Sequence, residues 1–184
     1  MGLDITAISN LEKKNKLTEE QKALPWEFQQ KRKKTRIVID TTPYGSEHGG
    51  YNRCEDMEGG KYAETEQTTE HHFRAGSYSS YNRFRKILSE GLVGVDPETL
   101  WHNPELYKDA TMFEMVNFSD CEGILGTGVC QKLYSQFVEN REKFEKYLSA
   151  TFDDTDQVQW EMSTYDDFTE AFKLGSQNGI VVYA

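Results

Sequence analysis

The sequence predicts an α+β domain, with a small, mainly antiparallel sheet that includes both chain termini and is packed by about three helices. Apolar residues alternate at the start of the chain (Leu3, Ile5, Ala7) and run together at its end (IVVY, 180–183), which marks a strand at each terminus. Between them, Val129, Leu133, Phe137, Phe144 and Leu148 define one face of a long helix. No strand-helix-strand unit or internal repeat is visible, so a parallel sheet is not expected. A chain of 184 residues with 36% hydrophobic content suits one domain, 1–184, built on one core.

The elements follow in order. GLDITAIS forms the first strand. Residues 11–35 form a charged excursion, with Pro25 beside Trp26 and the run KRKK at 31–34, and read as a solvated face. RIVID, 36–40, is β-branched and predicts a buried strand paired with the two termini. The stretch 41–69 carries Gly45, Gly49, Gly50, Gly59 and Gly60 among many acids. A loop that long is uncommon in a compact domain, so it predicts a functional flap or a hairpin around EGGK.

HHFRAG is extended, Gly76 permits a turn, and Ser77 is placed to cap a helix from about Tyr78 to Glu90 that Gly91 stops. Tyr81, Phe84, Ile87 and Leu88 share one face of it. Pro97 and Pro104 open one-turn helices. MFEMVNF, 112–118, alternates like a strand, with a helical turn as the alternative. The longest helix spans about 128–149. A polar loop at 152–157 then leads into a strand at VQWEM. A capping box from Thr164 to Asp167 starts the last helix, which Gly175 ends, and Asn178-Gly179 turns into the final strand.

Composition excludes some functions. Thirty-one acidic against twenty-one basic residues give a net charge of −10, which repels duplex nucleic acid. Three cysteines without C-x-x-C spacing fit reduced thiols in a cytoplasm rather than disulfides or a zinc site. No apolar run is long enough to cross a membrane, and the first residues lack a signal-peptide pattern.

Against that charge, the stretch 71–88 gathers Arg74, Arg83, Arg85 and Lys86 with two tyrosines and three serines. The chain enters helices through two sets of small residues, AGSYSS and GILGTG. Unpaired amides and the positive end of the helix dipole make such starts natural anion sites. The dipole alone is worth only about 0.3 to 1 kcal/mol, so a ligand needs further contacts. Arg74 supplies a charge-assisted bond, Ser77 and Ser79 donate, and Tyr78 or Tyr81 stacks on a base. The plain alternative is that Ser77 only caps and Tyr81 only packs. The spacing of Gly123, Gly126 and Gly128 is inverted relative to a dinucleotide-binding motif.

In an extended SDCE, Asp120 and Glu122 share one face, where they can hold sugar hydroxyls or orient Arg74. Flanking acids disfavour a Cys121 thiolate, so that thiol reads as a buried packing residue. Adjacent His71 and His72 point to opposite faces of a strand and cannot readily share a metal. No catalytic, metal or cofactor set emerges.

Four blocks carry a resemblance: GLDITA, FRAGSYSSYNRFRKIL, FEMVNFSDCEGILGTGVCQKL and YDDFTEAFKLGSQNGIVVY. Together they resemble a family of small bacteriophage and prophage proteins without an assigned activity. The resemblance implies a phage or bacterial cytoplasmic origin. It ties Arg74, Gly76, Ser77, Tyr78, Tyr81 and Asn82 to Ser119, Asp120, Glu122 and Gly123 as the family's marked positions. Ser80 stands where the family pattern GSYSGYN has glycine, which narrows the room for a ligand there.

Residues and resemblance together lead to an accessory protein that binds, without turnover, a small anionic, nucleotide-like ligand such as an immune signalling molecule. Two alternatives stay open: a metal-assisted nucleotide hydrolase, and an acidic interaction protein or nucleic-acid mimic that occupies a host protein. Homo-oligomers are compatible with all three. The leading expectation requires that Arg74 and the acid pair Asp120 and Glu122 converge on one hollow.

Overall fold

The apolar alternation at the two ends of the chain brings them side by side. The computed structural model describes residues 2–14, 37–45, 50 and 52–184. In it, β1 (Gly2–Ile8) pairs antiparallel with both β5 (Glu70–Ser77) and β7 (Ile180–Tyr183). A short strand, β6 (Gly123–Leu125), adds to β7 and completes a four-stranded sheet in the order β5-β1-β7-β6. A second antiparallel sheet has the order β2-β4-β3, from β2 (Glu12–Lys14), β3 (Ile37–Ile39) and β4 (Gly60–Ala63).

Six helices complete the described residues: α1 (Tyr78–Leu92), α2 (Pro97–His102), α3 (Pro104–Tyr107), α4 (Phe113–Val116), α5 (Thr127–Thr151) and α6 (Thr155–Gly175). None is long and apolar enough to cross a membrane. The α+β class and the antiparallel sheet holding both terminal strands are as the sequence predicts.

Strand periodicity decides what each face of the main sheet covers. Leu3, Ile5 and Ala7 point to the helices and are buried, together with Val181 and Tyr183 of β7. At the centre of this core, the Phe168 ring of α6 lies 4.9 to 6.4 Å, centroid to centroid, from Phe73, Tyr81, Phe84, Phe172 and Tyr183. On the opposite face, Ile8 and Ile180 pack with Leu11, Ile39, Cys54 and Tyr62, so the small sheet covers one end of the large one. Polar Asp4, Thr6, His72 and Arg74 occupy the other end of that face by the same alternation.

Several local expectations are corrected. RIVID does not pair with the termini: its described part, β3, joins the small sheet against β4. Gly60 opens β4, whose partners are β2 and β3, so there is no tight hairpin at EGGK. Residues 15–35 of the charged excursion and Arg36 of RIVID lie outside the described residues, as do 46–49 and 51 of the glycine-rich stretch. The described start of the excursion, Glu12–Lys14, is strand.

VQWEM is helical, inside α6, rather than a strand. Val158, Met162, Tyr165, Phe168 and Phe172 recur at three- and four-residue spacing, and a five-residue window with apolar 158, 160 and 162 fits either period. The cap is Asp154, whose side chain accepts from the amides of Asp156 and Gln157 at 2.9 and 3.3 Å. Thr164 is no cap, because its hydroxyl donates back to the Trp160 carbonyl at 3.0 Å within the helix.

Gly91 does not stop α1. It lies inside the helix, where a Cβ would stand 2.5 Å from Cδ1 of Tyr147 on α5, so the close approach of that ring calls for glycine. The helix ends at Leu92, and two residues on Gly94 adopts φ +87° and returns its amide to the Ser89 carbonyl. MFEMVNF contains the one-turn α4, entered through Met112 in the left-handed region.

Candidate functional site

The sequence places its candidate residues at two helix starts, and the structure builds the two differently. At the first, Ser77 caps α1: its hydroxyl accepts the Ser80 amide at 3.1 Å and lies 2.9 Å from the Ser80 hydroxyl. Gly76 adopts φ +94°, and a Cβ on it would stand 2.9 Å from the Ser80 Cβ, so glycine is required there. Ser77 and Ser79 are exposed, while Tyr78 is half-buried and packs against the core. Arg74 projects from β5 on the face away from the helices, with its guanidinium 3.8 Å from Asp4 on the neighbouring strand. Both side chains of this pair are more than half exposed.

At the second, Asp56 accepts the Gly128 amide at 2.6 Å, and the loop that leads into it is organised by an arginine from the first helix. Arg85 lies among the buried residues of α1 and is 4% exposed. A cation in that position must find acceptors inside the fold. Its Nη1 donates to the carbonyls of Val116 and Phe118 at 3.2 and 2.6 Å, and its Nη2 donates to Oδ1 of Asn82. The guanidinium also lies over the rings of Tyr81 and Trp101, at 5.0 and 5.4 Å from their centroids. Asn82 then donates to Asp120 Oδ2 at 2.7 Å, and that oxygen is 3.9 Å from Arg85.

Other groups hold the same loop. Trp101 Nε1 donates to the Val116 carbonyl at 2.9 Å. Arg53 donates to the Asn117 carbonyl at 2.5 Å and lies over the rings of Tyr44 and Phe113. Ser119 closes the turn by accepting from the amides of Cys121 and Glu122 at 3.3 and 3.0 Å. Burial pulls the Arg53 pKa below its ordinary value. Burial also pushes the Tyr44 hydroxyl up, against the opposing pull of Arg53 and Arg85. The result is a clamp on residues 116–122 in which charges serve backbone carbonyls.

The structure therefore brings Asn82, Tyr81, Ser119 and Asp120 together around Arg85, and leaves Arg74 apart. Arg74 belongs to β5 and Glu122 adjoins β6, the two opposite edges of the main sheet. Three strand spacings separate those edges, about 14 Å of backbone. The hollow expected between Arg74 and the acid pair does not form, because the strand order inserts β1 and β7 between them. Tyr81 is fully buried, which corrects the expectation that it stacks on a ligand and leaves the packing alternative. Gly123 begins β6 and pairs with Tyr183, and Glu122 is exposed without an ion pair among the described residues.

Two further expectations concern reactive groups. Cys121 is exposed, which corrects its reading as a packing residue; the acids beside it sit on a turn and carry it outward. Cys54 and Cys130 are the buried thiols, and burial pushes Cys54 up to about 12 and Cys130 well above its ordinary value. His71 and His72 do point to opposite faces: His71 lies 3.6 Å from Asp167 of α6, and His72 bonds with Thr6 and Glu70 outside. Among the described residues, no group of three or more His, Cys, Asp and Glu side chains could hold a metal ion.

Arg85, Arg53, Tyr44 and Trp101 are the residues that sequence reasoning missed. Arg85 carried a signal, since it lies beside Phe84 and three residues before Leu88 on an apolar helix face, where a cation is unusual. Arg53 and Tyr44 reach the site from a glycine-rich stretch without periodicity, and nothing in their spacing pointed to it.

No family model, curated protein or solved structure matches the chain. The resemblance to small phage proteins rests on its four sequence blocks.

Proposed function

We propose that the chain is a non-catalytic interaction protein whose acidic surface takes a basic protein partner. The observation that carries this reading is the commitment of Arg85: its Nη donors go to Val116, Phe118 and Asn82, so the most marked polar cluster holds a loop instead of a ligand. An anion approaching Asp120 would meet a carboxylate first, with the nearest guanidinium buried behind it. The net charge of −10 also repels a nucleotide and attracts a cationic surface, raising its association rate. This corresponds to the acidic-mimic alternative, in which a host protein of a phage is the partner.

A second reading keeps the nucleotide-like anion, because Arg74 stands 59% exposed and only loosely paired, three residues before Ser77, the exposed cap of α1. Isothermal titration separates the two. The interaction reading expects no heat from cyclic and linear nucleotides at millimolar concentration, and heat from lysine- and arginine-rich peptides that fades with added salt. Nucleotide binding that Arg74→Ala removes would replace the first reading with the second.

A further inference from the structure

The turn between the two long helices, α5 and α6, holds a hollow. It has a volume of about 500 Å³, within the range of ligand pockets, and it opens to solvent. Phe152, Val158 and Met162 form its floor, and Glu145 and Asp153 stand on its rim. The floor exists because α6 starts immediately after α5 ends. Asp154 caps α6 only three residues beyond Thr151, so Phe152 turns inward against the core and Val158 lies half-buried beside it.

The surroundings of the hollow are acidic. Between positions 139 and 156 the chain has six acids, Glu139, Glu142, Glu145, Asp153, Asp154 and Asp156, all exposed, and three bases. Each base is already engaged. Arg141 binds Asp166 through two nitrogens at 2.9 Å and approaches Glu145, Lys143 donates to the Leu92 carbonyl, and Lys146 pairs with Glu142. Asp153 and Asp156 have no ion pair among the described residues. An apolar side chain entering the hollow would therefore bring its neighbours in sequence against a net acidic rim, on which Asp153 has no ion pair among the described residues and Glu145 shares Arg141 with Asp166.

We infer that this hollow is the docking site for a basic peptide segment carrying one large apolar or aromatic side chain, with the apolar group on Phe152, Val158 and Met162 and flanking lysines or arginines on the acidic rim. The inference rests on the interaction reading and names its surface. An apolar anchor in a desolvated pocket supplies affinity, and rim charges supply orientation and on-rate. A nucleotide fits the site poorly, because its phosphates would face Glu145 and Asp153.

Fluorescence anisotropy with labelled hexapeptides tests this on the full chain. The probes are one tryptophan among five lysines, and the same peptide with glycine for tryptophan. The expected result is that the tryptophan probe binds about tenfold more tightly than the glycine probe. Glu145→Lys with Asp153→Lys should weaken the tryptophan probe by about tenfold or more, while the equal charge change Glu98→Lys with Glu105→Lys on exposed sites of α2 and α3 has a much smaller effect. Val158→Ala is a second probe of the floor and should remove part of the tryptophan preference, with circular dichroism confirming that each variant is folded. Binding of both probes that responds equally to the two charge reversals would overturn the docking site and leave the interaction reading standing. Failure of the wild-type chain to bind either probe would overturn both.

Discussion

The loop at 116–122 and the turn at 152–156 are both acidic and both polar, and they treat their charges in opposite ways. At the loop, Asp120 is bonded to Asn82, and the buried Arg85 and half-buried Arg53 donate to backbone carbonyls behind it. At the turn, the carboxylates of Asp153 and Asp156 face solvent, and Asp153 lines a hollow with an apolar floor. The difference lies in where the helix faces point. Arg85 belongs to the buried face of α1 and must be satisfied internally, whereas the acids of α5 and α6 near the turn lie off the apolar stripe. Residue type alone does not distinguish the two regions; the position of each charge relative to the stripe decides which charges are held inside the fold and which stay open to solvent.

Removing Arg85 is the strongest way to break the comparison. Arg85→Leu leaves the Phe118 carbonyl and the Asn82 Oδ1 without their donor, and leaves the Val116 carbonyl with Trp101 alone. It should cost about 3 to 5 kcal/mol in urea denaturation. A loss below about 1 kcal/mol would mean that the loop does not depend on the clamp.

Glu161 sharpens the contrast within α6, because it is an acid turned inward. Its side chain is fully buried, 3.2 Å from Arg83 but off the line of a hydrogen bond, while Arg83 lies over the Trp160 ring. Burial raises its pKa from 4.5 to about 7, against the pull of Arg83. The native state then holds a proton that the unfolded chain releases, so this group's contribution is fully present below pH 4.5 and is lost as pH rises to about 7. At about 1.4 kcal/mol per pH unit the loss approaches roughly 3 kcal/mol. Thermal melts of the wild type and Glu161→Gln between pH 4 and 8 check this. The variant should lack the decline across that window, and an identical pH profile for both would remove the buried acid from the account.

The smaller effects follow from exposure. Asp120→Ala should cost about 1 to 2 kcal/mol, since the loss of its bond to Asn82 is partly made good by water. Arg74→Ala should change stability by less than about 0.5 kcal/mol, because an open pair at 3.8 Å is screened. A large fall in melting temperature for Arg74→Ala would place that residue with the clamp instead of on the open face.

How much of this was legible in the sequence depends on the range of the interaction that fixes each element. The terminal strands, the Ser77 cap and the long helix around Val129 to Leu148 follow from local periodicity and capping, and the structure has them where the sequence puts them. VQWEM fails as a strand because five residues satisfy two periods at once, and only its continuation to Tyr165, Phe168 and Phe172 chooses the helix. Gly91 fails as a stop because its reason is a ring on another helix, Tyr147, more than fifty residues away. The candidate site fails in the same way. Its pairing of Arg74 with Asp120 assumed a strand order that spacing along the chain cannot supply, and the real partner, Arg85, is identified by what lies across the helix.

The central claim is that the polar loop belongs to the fold and the acidic turn to binding. Amide chemical-shift mapping of the labelled chain, titrated with the lysine and tryptophan hexapeptide, tests it most directly. The account predicts saturable shifts confined to residues around 145–162, with Arg74, Ser77 and Asp120 unmoved. Shifts centred on Arg74, Ser77 and Asp120, with the helical turn silent, would contradict it.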